Sequence, residues 1–261
     1  MRALLIDLDG VVYQGEQLVP GAAGVLAWVQ ERQIRHLFVT NTTSRSRRAL
    51  AERLASFGLT VPVDTLWTPA VAARQWLVEN TSGPIALFVS DAAREDFESL
   101  PWLDASAETG AASVVIGDLA NEWSYERLNR AFRLLMQEPQ PAFIALGTTR
   151  YWLAADGLRL DAGPFVSALE FAVNRSATVI GKPSQLFFAQ ALERLDCDAT
   201  QAVMIGDDIV SDVGAAQRLG VRGVLVRTGK FRPHDLEGGV TPDAVLASIV
   251  DLPEWWRKQV T

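Results

Sequence analysis

The chain alternates short apolar runs with segments in which apolar residues recur at helical spacing. The first run, ALLID at 3–7, is uninterrupted by polar residues until its end, which is typical of parallel strands covered on both faces. HLFVT at 36–40 predicts a second strand, and Val25, Leu26 and Val29 predict a helix between the two. Further strands are predicted at 85–90, 112–117, 142–147, 178–181, 202–206 and 221–229.

Helical spacing fills most of the remaining intervals. In the segment 44–58, Leu50, Leu54 and Phe57 share one face, and Gly58 is a suitable C-cap. Further helices are predicted at 124–138, 164–174, 184–196 and 212–220, and a turn-rich stretch at 151–164. Repeated alternation of strand and helix predicts an α/β fold with a mainly parallel sheet and right-handed crossovers.

The number of strand–helix units bears on the domain organisation. A single sheet that contained every predicted strand would be crowded, so two α/β domains are predicted. The best boundary candidates are ENTSGP at 79–84 and the stretch at 172–177. We therefore expect residues 79–176 to form an inserted α/β domain, and residues 1–78 and 177–261 to form one core domain.

Composition narrows the classes of partner and compartment. The formal net charge of −7 disfavours nucleic acid and anionic membranes as partners. The single cysteine, Cys197, excludes an intramolecular disulfide and fits a reducing compartment. The first apolar run is too short and too acidic for a signal peptide, and no stretch has the length of a spanning helix. We expect a soluble, cytoplasmic protein without a nucleic-acid or membrane partner.

Polar side chains capable of chemistry follow four of the predicted strands. They are Asp7 and Asp9 after the first strand, Thr40 and Asn41 after the second, Lys182 after 178–181, and Asp207, Asp208 and Asp212 after 202–206. In open α/β sheets, ligands bind beyond the carboxyl ends of the strands. A parallel sheet that contains all four strands would bring these groups to one edge.

Each group alone has a simpler explanation. Asp9-Gly10 between apolar residues is a strong hairpin signal, although the run before it does not alternate. Thr40 and Asn41 suit a turn or a helix cap, Lys182 suits a solvated surface, and GDD at 206–208 suits a loop. The GKPS sequence also lacks the glycine spacing of a P-loop. All four explanations would have to hold at once, each at a strand end, and this favours a single site.

The donor types at this site indicate its chemistry. Several carboxylates with oxygen-only ligation suit Mg²⁺, and the isolated His36 and His234 offer no zinc site. One aspartate can attack phosphorus to give an aspartyl-phosphate, and a second acid can transfer protons. Thr40 and Asn41 can donate hydrogen bonds to phosphoryl oxygens, and Lys182 supplies a cation. These residues predict phosphoryl chemistry through an aspartyl-phosphate.

Four ordered motifs, DLDGVVY, FVTN, GKPS and GDDIVSD, resemble those of the haloacid dehalogenase superfamily. The resemblance extends along the whole chain, and the segment between the second and third motifs resembles a cap domain of the second (C2) type. AVMIGDDIVSDVGAAQRLG and VRTGKFRP look similar to the NagD-like, p-nitrophenylphosphatase-like branch, in particular the phospholysine phosphohistidine inorganic pyrophosphate phosphatase group. The resemblance implies a Rossmann-like core with a parallel sheet and an inserted α/β cap domain.

The resemblance also implies catalytic and metal-binding roles. Asp7 would be the nucleophile and a Mg²⁺ ligand. Asp9 would be the general acid/base and would offer its backbone carbonyl to the metal. Asp207 would bind Mg²⁺, while Asp208 and Asp212 would orient Lys182 or water ligands of the metal. Dehalogenases lack the second acid, so Asp9 favours phosphate over halide.

The remaining implied roles concern the substrate. Thr40, Asn41 and Thr42 would bind phosphate, with Lys182 stabilising the developing charge. In the predicted cap, GTTRYWL at 147–153 lacks the lysine expected before this motif in close relatives, which puts phospholysine, phosphohistidine and pyrophosphate specificity in doubt. The segment Arg150, Tyr151 and Trp152 is expected either to line a substrate pocket or to be packed cap core with a surface arginine.

Other functions remain open from the residues alone. A receiver-type signalling domain also gathers acids, a hydroxyl and a lysine around Mg²⁺, but it is about half this length and has no insertion. A binding protein that retains the fold without turnover is another alternative. The resemblance also suggests a homodimer through the cap, and Trp255 and Trp256 either pack under the sheet or meet a partner. The substrate class expected is a small phosphorylated metabolite, with P–N bonds or pyrophosphate as further candidates.

Overall fold

The computed structural model describes residues 1–154 and 156–260, which form two compact units. The first unit comprises 1–40, 50–67 and 182–261, and the second comprises 41–49 and 68–181. The strands are β1 (Ala3–Asp7), β2 (Tyr13–Gln14), β3 (Gln17–Leu18), β4 (Arg35–Val39), β5 (Leu66–Trp67), β6 (Ile85–Phe88), β7 (Ser113–Ile116), β8 (Ala142–Ala145), β9 (Tyr151–Ala154), β10 (Gly157–Leu160), β11 (Thr178–Val179), β12 (Ala202–Gly206), β13 (Arg222–Val226) and β14 (Ala244–Leu246). The α-helices are α1 (Ala22–Glu31), α2 (Arg47–Ser56), α3 (Pro69–Asn80), α4 (Asp91–Arg94), α5 (Tyr125–Leu135), α6 (Ala162–Val173), α7 (Gln185–Arg194), α8 (Ala215–Gln217) and α9 (Leu252–Val260).

The first unit is built on a six-stranded sheet with the order β14-β13-β12-β1-β4-β5. All neighbouring strands in it are parallel, and Ala3 of the central strand β1 is in register with Ala202 on one side and Arg35 on the other. Every residue of β1 is buried, which explains its continuous apolar sequence. The predicted parallel α/β core is confirmed.

Helices α1 and α9 cover one part of this sheet. Val25, Leu26 and Val29 of α1 are buried in the hydrophobic core, as their spacing predicts. Trp256 of α9 belongs to the same core and lies edge-on to Trp28, with ring centroids 6.5 Å apart. The structure supports the packing interpretation of the C-terminal tryptophans, because Trp255 is also partly buried against this core.

The second unit contains its own four-stranded parallel sheet, with the order β11-β8-β7-β6. Thr178 and Val179 form β11 and pair with Ile144 and Ala145 of β8. The assignment of the strand 178–181 to the core sheet is therefore wrong. The unit limits overlap the predicted domain limits without coinciding with them, and the domain limits stay a prediction.

The turn-rich interpretation of 151–164 is also wrong, apart from Ala155, which lies outside the described residues. The stretch forms an antiparallel hairpin, β9–β10, with Leu160 in register with Tyr151. The Asp156-Gly157 dipeptide lies at its turn, where glycine readily adopts the observed positive φ of 126°. By contrast, Asp9-Gly10 follows a central parallel strand, so the hairpin interpretation of that dipeptide does not hold.

In the described part of the chain, no helix combines the length and the apolar character needed to cross a membrane.

The two C-terminal tryptophans give a test of the core. Trp256 is 8% exposed, so Trp256→Ala should lower the free energy of unfolding by about 3 kcal/mol or more. Trp255→Ala should cost clearly less, because that side chain is only partly buried. Urea unfolding followed by circular dichroism measures both. Equal losses for the two variants would contradict this assignment of the core.

Candidate active site

Three buried carboxylates and one buried ammonium meet at one end of the first unit's sheet. Oxygen atoms of Asp7, Asp207 and Asp212 all lie within 4.8 Å of one another. Lys182 Nζ donates to Asp7 Oδ1 at 2.6 Å and to Asp212 Oδ1 at 2.7 Å. The convergence predicted from the strand ends is confirmed for these four residues.

The sheet order explains why Asp7 and Asp207 are neighbours. Asp7 ends β1, and Asp207 directly follows β12, the strand paired with β1 through Ile6 and Ile205. The chain leaves β1 for β4 and β5 on one side and returns to β12, β13 and β14 on the other. Ligands in open α/β sheets bind at such a reversal of strand order.

Three glycines allow the carboxylates to approach the backbone closely. A Cβ at Gly10 or at Gly229 would overlap the carboxylate of Asp207, and a Cβ at Gly206 would overlap that of Asp212. Gly10 and Gly229 also have positive φ values of 87° and 65°, which favour glycine. Any larger residue at Gly10, Gly206 or Gly229 would therefore displace the carboxylate of Asp207 or Asp212.

A single π-helical turn, Ile209–Gly214, holds Asp212 beside Lys182. Asp208 caps this turn by accepting hydrogen bonds from the backbone N–H groups of Val210 at 3.0 Å and Ser211 at 2.9 Å. The Asp208 N–H in turn donates to Asp212 Oδ2 at 3.2 Å. Both oxygens of the Asp212 carboxylate are thus engaged. The predicted helix at 212–220 begins with this turn and continues as α8.

Burial and the neighbouring charges shift the pKa values at the site. Burial raises the pKa of Asp7 well above its ordinary value, although the ammonium of Lys182 opposes the shift. Burial alone would lower the pKa of Lys182, but the carboxylates of Asp212 and Asp7 outweigh it and the pKa is raised. Burial raises the pKa of Asp207 to about 6, against a hydrogen bond from the Lys230 N–H and with help from the charge of Asp212.

The donor set fits a hard divalent cation. Asp207 Oδ2 accepts the N–H of Lys230 at 2.7 Å, whereas Oδ1 is buried and has no hydrogen-bond partner among the described residues. A buried carboxylate oxygen without a partner is costly unless a cation binds it. Asp7 and Asp207 offer the oxygen ligands that Mg²⁺ prefers. No histidine belongs to this cluster in the described part of the chain.

Two other predicted core residues also lie in the first unit. Asp9 directly follows the buried Leu8 and is exposed. Thr40 is buried, and its N–H donates to the carbonyl of Trp67 at 3.2 Å. Thr40 follows Val39 of β4, and Val39 is in register with Asp7 of β1. Thr40 therefore lies one residue beyond the position opposite Asp7.

The remaining predicted residues belong to the second unit. Asn41 and Thr42 begin its segment 41–49 and are partly buried. Arg150 is exposed, and Tyr151 and Trp152 on β9 are 57% and 42% exposed. The packed-core alternative for these aromatic residues is therefore wrong, and their role in a substrate pocket stays a prediction.

The loop after β13 also contacts the site, although none of the residues predicted for the site lies in it. The Thr228 hydroxyl donates to the carbonyl of Gly10, and the Lys230 N–H donates to Asp207. The Lys230 side chain also lies beside Asp208, with Nζ 3.5 Å from Oδ2. This loop follows a strand of the same parallel sheet, so the strand-end rule could have identified it.

Two family models match the chain. A haloacid dehalogenase-like hydrolase model matches residues 4–101, and a HAD-hydrolase-like model matches residues 179–252. A solved p-nitrophenyl phosphatase from Archaeoglobus fulgidus superposes with a TM-score of 0.87 at 29% identity, covering 97% of this chain and 98% of that one.

Curated relatives are similar over most of their length. Human phospholysine phosphohistidine inorganic pyrophosphate phosphatase is 39% identical over 239 residues, covering 90% of this chain and 86% of the relative. Haloacid dehalogenase-like hydrolase domain-containing protein 2 from Bos taurus is 41% identical over 235 residues, covering 90% and 87%. With this identity over nine-tenths of its length and the acidic cluster at the matched strand ends, the chain belongs to the haloacid dehalogenase-like hydrolases.

Proposed function

We propose that the chain is a Mg²⁺-dependent phosphatase that hydrolyses small phosphorylated metabolites through an aspartyl-phosphate on Asp7. The observation that carries the proposal is the buried cluster of Asp7, Asp207 and Asp212 around Lys182. The phosphatase names of the human relative and of the structural neighbour support it.

Asp7, Asp207 and the backbone carbonyl of Asp9 would hold the metal in this proposal. A Mg²⁺ ion there would supply charge neutralisation of the carboxylates and Lewis-acid polarisation of the phosphoryl group. The unpartnered Oδ1 of Asp207 supports the assignment. A cation at the site also favours the ionised form of Asp7, whose pKa burial otherwise raises.

In the first half-reaction, a carboxylate oxygen of Asp7 attacks phosphorus. The bond between phosphorus and the ester oxygen breaks, and the leaving oxygen takes a proton from Asp9. The exposed position of Asp9, two residues beyond Asp7, suits a group that meets both leaving group and water. The products are the free alcohol and the aspartyl-phosphate.

In the second half-reaction, the Asp9 carboxylate takes a proton from water, and the water oxygen attacks phosphorus. The bond between phosphorus and Asp7 breaks, which restores the carboxylate and releases inorganic phosphate. Asp9 returns to its protonated form, so the cycle closes without another reagent.

The remaining site residues bind and position. The Lys182 ammonium stabilises charge on the phosphoryl oxygens and holds Asp7 in place. Thr40, Asn41 and Thr42 donate hydrogen bonds to phosphate in this proposal. Asp208 and Asp212 orient the lysine, a role supported by the hydrogen bonds of Asp212 to Lys182 and to the Asp208 N–H.

We assign substrate selection to the second unit as an inserted cap, with Arg150, Tyr151 and Trp152 as specificity residues. The exposure of Tyr151 and Trp152 supports contact with a substrate. A homodimer through the cap and a cytoplasmic location are further parts of the proposal. Activity on P–N bonds or on pyrophosphate is a further candidate by similarity to the human relative, and assays of phosphoamino acids, phosphate esters and pyrophosphate would test it.

The nucleophile assignment has a direct test. The wild type should release nitrophenol from p-nitrophenyl phosphate over many turnovers with Mg²⁺, and Asp7→Asn should lower kcat by at least about 10⁴-fold. Asp196→Asn is the control, since that side chain is 99% exposed. A single stoichiometric phosphorylation of the wild type would instead favour a signalling or binding protein.

The acid/base assignment separates turnover from metal binding. Asp9→Asn should lower kcat by about 10²–10⁴-fold, because it removes proton transfer to the leaving oxygen. Its Mg²⁺ affinity, measured by calorimetry, should stay close to that of the wild type, since only the backbone carbonyl is assigned to the metal. A large loss of affinity with unchanged kcat would contradict this role.

Metal affinity should depend on pH through Asp207. Its pKa of about 6 in the metal-free protein means that a proton must leave before a cation binds below that pH. The Mg²⁺ association constant should therefore rise by at least about fivefold between pH 5 and pH 6, because ionisation of Asp207 alone gives that factor and the raised pKa of Asp7 adds to the dependence. Calorimetric titrations of wild type and Asp207→Asn check this, and the variant should bind weakly with a shallower profile. A flat wild-type profile would contradict the assignment.

A further inference from the structure

Lys230 contacts Asp207 of the acidic cluster and the adjacent Asp208 in different ways. Its backbone N–H donates to Asp207 Oδ2 at 2.7 Å, and its Nζ lies 3.5 Å from Asp208 Oδ2. Its side chain is 71% exposed, whereas that of Lys182 is 4% exposed. The site therefore has a buried ammonium held by two carboxylates and a second ammonium that is open to solvent.

The charges of the site explain why a second cation matters. Asp7, Asp207, Asp208 and Asp212 provide four carboxylates, and Lys182 is the buried cation among them. When all four are ionised, three negative charges remain, and a bound divalent cation reduces these to one. A phosphate monoester carries about two negative charges at neutral pH, so it would approach a site of its own sign.

The geometry of the loop keeps the Lys230 ammonium near this site. The Thr228 hydroxyl donates to the carbonyl of Gly10, and Arg232 donates to the carbonyls of Lys230 at 3.1 Å and Phe231 at 2.8 Å. Partial desolvation would lower the pKa of Lys230, but the carboxylates, with Asp208 foremost, outweigh it and raise the pKa. The side chain thus stays charged at neutral pH.

The contacts around the Lys230 ammonium do not indicate a purely structural role for it. The Asp208 carboxylate already accepts two backbone N–H groups, from Val210 and Ser211. An exposed lysine–carboxylate pair adds little stability in general. The loop itself is fixed through backbone groups and Thr228, so the Lys230 charge is not needed to hold it.

We propose that Lys230 is a substrate-binding residue whose ammonium balances the excess negative charge of the site and attracts the phosphate dianion. The inference rests on the proposed phosphatase function and extends it. In this role, Lys230 selects ligands that carry a dianionic phosphate group.

The test compares three variants. Lys230→Met removes the charge and keeps an unbranched side chain, Lys230→Arg keeps the charge, and Lys258→Met is the matched control on the exposed Lys258–Glu254 pair. Lys230→Met should lower kcat/KM for p-nitrophenyl phosphate by about tenfold, mainly through KM, because electrostatic attraction of substrate is lost. Lys230→Arg and Lys258→Met should stay within about threefold of the wild type.

Two further measurements separate charge from structure. In calorimetry, Lys230→Met should bind Mg²⁺ about threefold more tightly, because a neighbouring positive charge is gone, and should bind inorganic phosphate more weakly. A loosened loop would weaken both. Raising the ionic strength should also narrow the difference in kcat/KM between the wild type and Lys230→Met, because salt screens the charge by which the two differ.

The outcomes distinguish the two proposals. A wild type without turnover would overturn the phosphatase function, while the Mg²⁺ and phosphate titrations would still test Lys230. An active wild type with unchanged KM and unchanged phosphate affinity in Lys230→Met would overturn the role of Lys230 alone. Failure of Lys230→Arg to retain phosphate binding would also overturn it, since the charge is the property proposed to act.

Discussion

The buried ammonium of Lys182 between Asp7 and Asp212 is the interaction on which the site depends. Burying three charged groups away from water costs free energy, and removing one of them would leave buried charge that is no longer balanced. The lysine lies 175 residues after Asp7 in sequence and 30 before Asp212. The three meet only when the β1 and β12 strands of the sheet are in place, so the site is a product of the finished fold.

The backbone sets a second constraint, because the acids are held against glycines. Gly10 and Gly229 leave room for Asp207, and Gly206 leaves room for Asp212. Burial is the main cause of the raised pKa values of Asp7 and Asp207, and the charges of the crowded neighbouring carboxylates raise them further. A divalent cation relieves the same repulsion that the glycines create, which ties the close packing to the proposed metal.

The sequence predicts the part of the site that follows from topology. Asp7, Thr40 and Asp207 end or follow strands of one parallel sheet, so recognising the strands was enough to group them. Lys182 was grouped by a mistaken route, because the short strand before it pairs with β8 in the other sheet. A strand of only two residues is too short for its side chains to form a pattern. Its partner strand is set by backbone hydrogen bonds, which the sequence does not show. The hairpin β9–β10 has the opposite of the usual pattern, because Leu158 and Leu160 of β10 are exposed while Arg159 between them is partly buried.

Lys182 and Lys230 show why residue type alone could not complete the site. Both are lysines near the same acids, and the segment VRTGKFRP around Lys230 does not show by its residue types how the lysine side chain is used. The two lysines differ in burial. Lys182 is buried between two carboxylates, so its positive charge mainly balances theirs. Lys230 faces solvent, where its field reaches an approaching anion before the anion loses its water. In this proposal Lys182 orders the acids, and Lys230 offsets their negative field on the solvent-exposed side of the site.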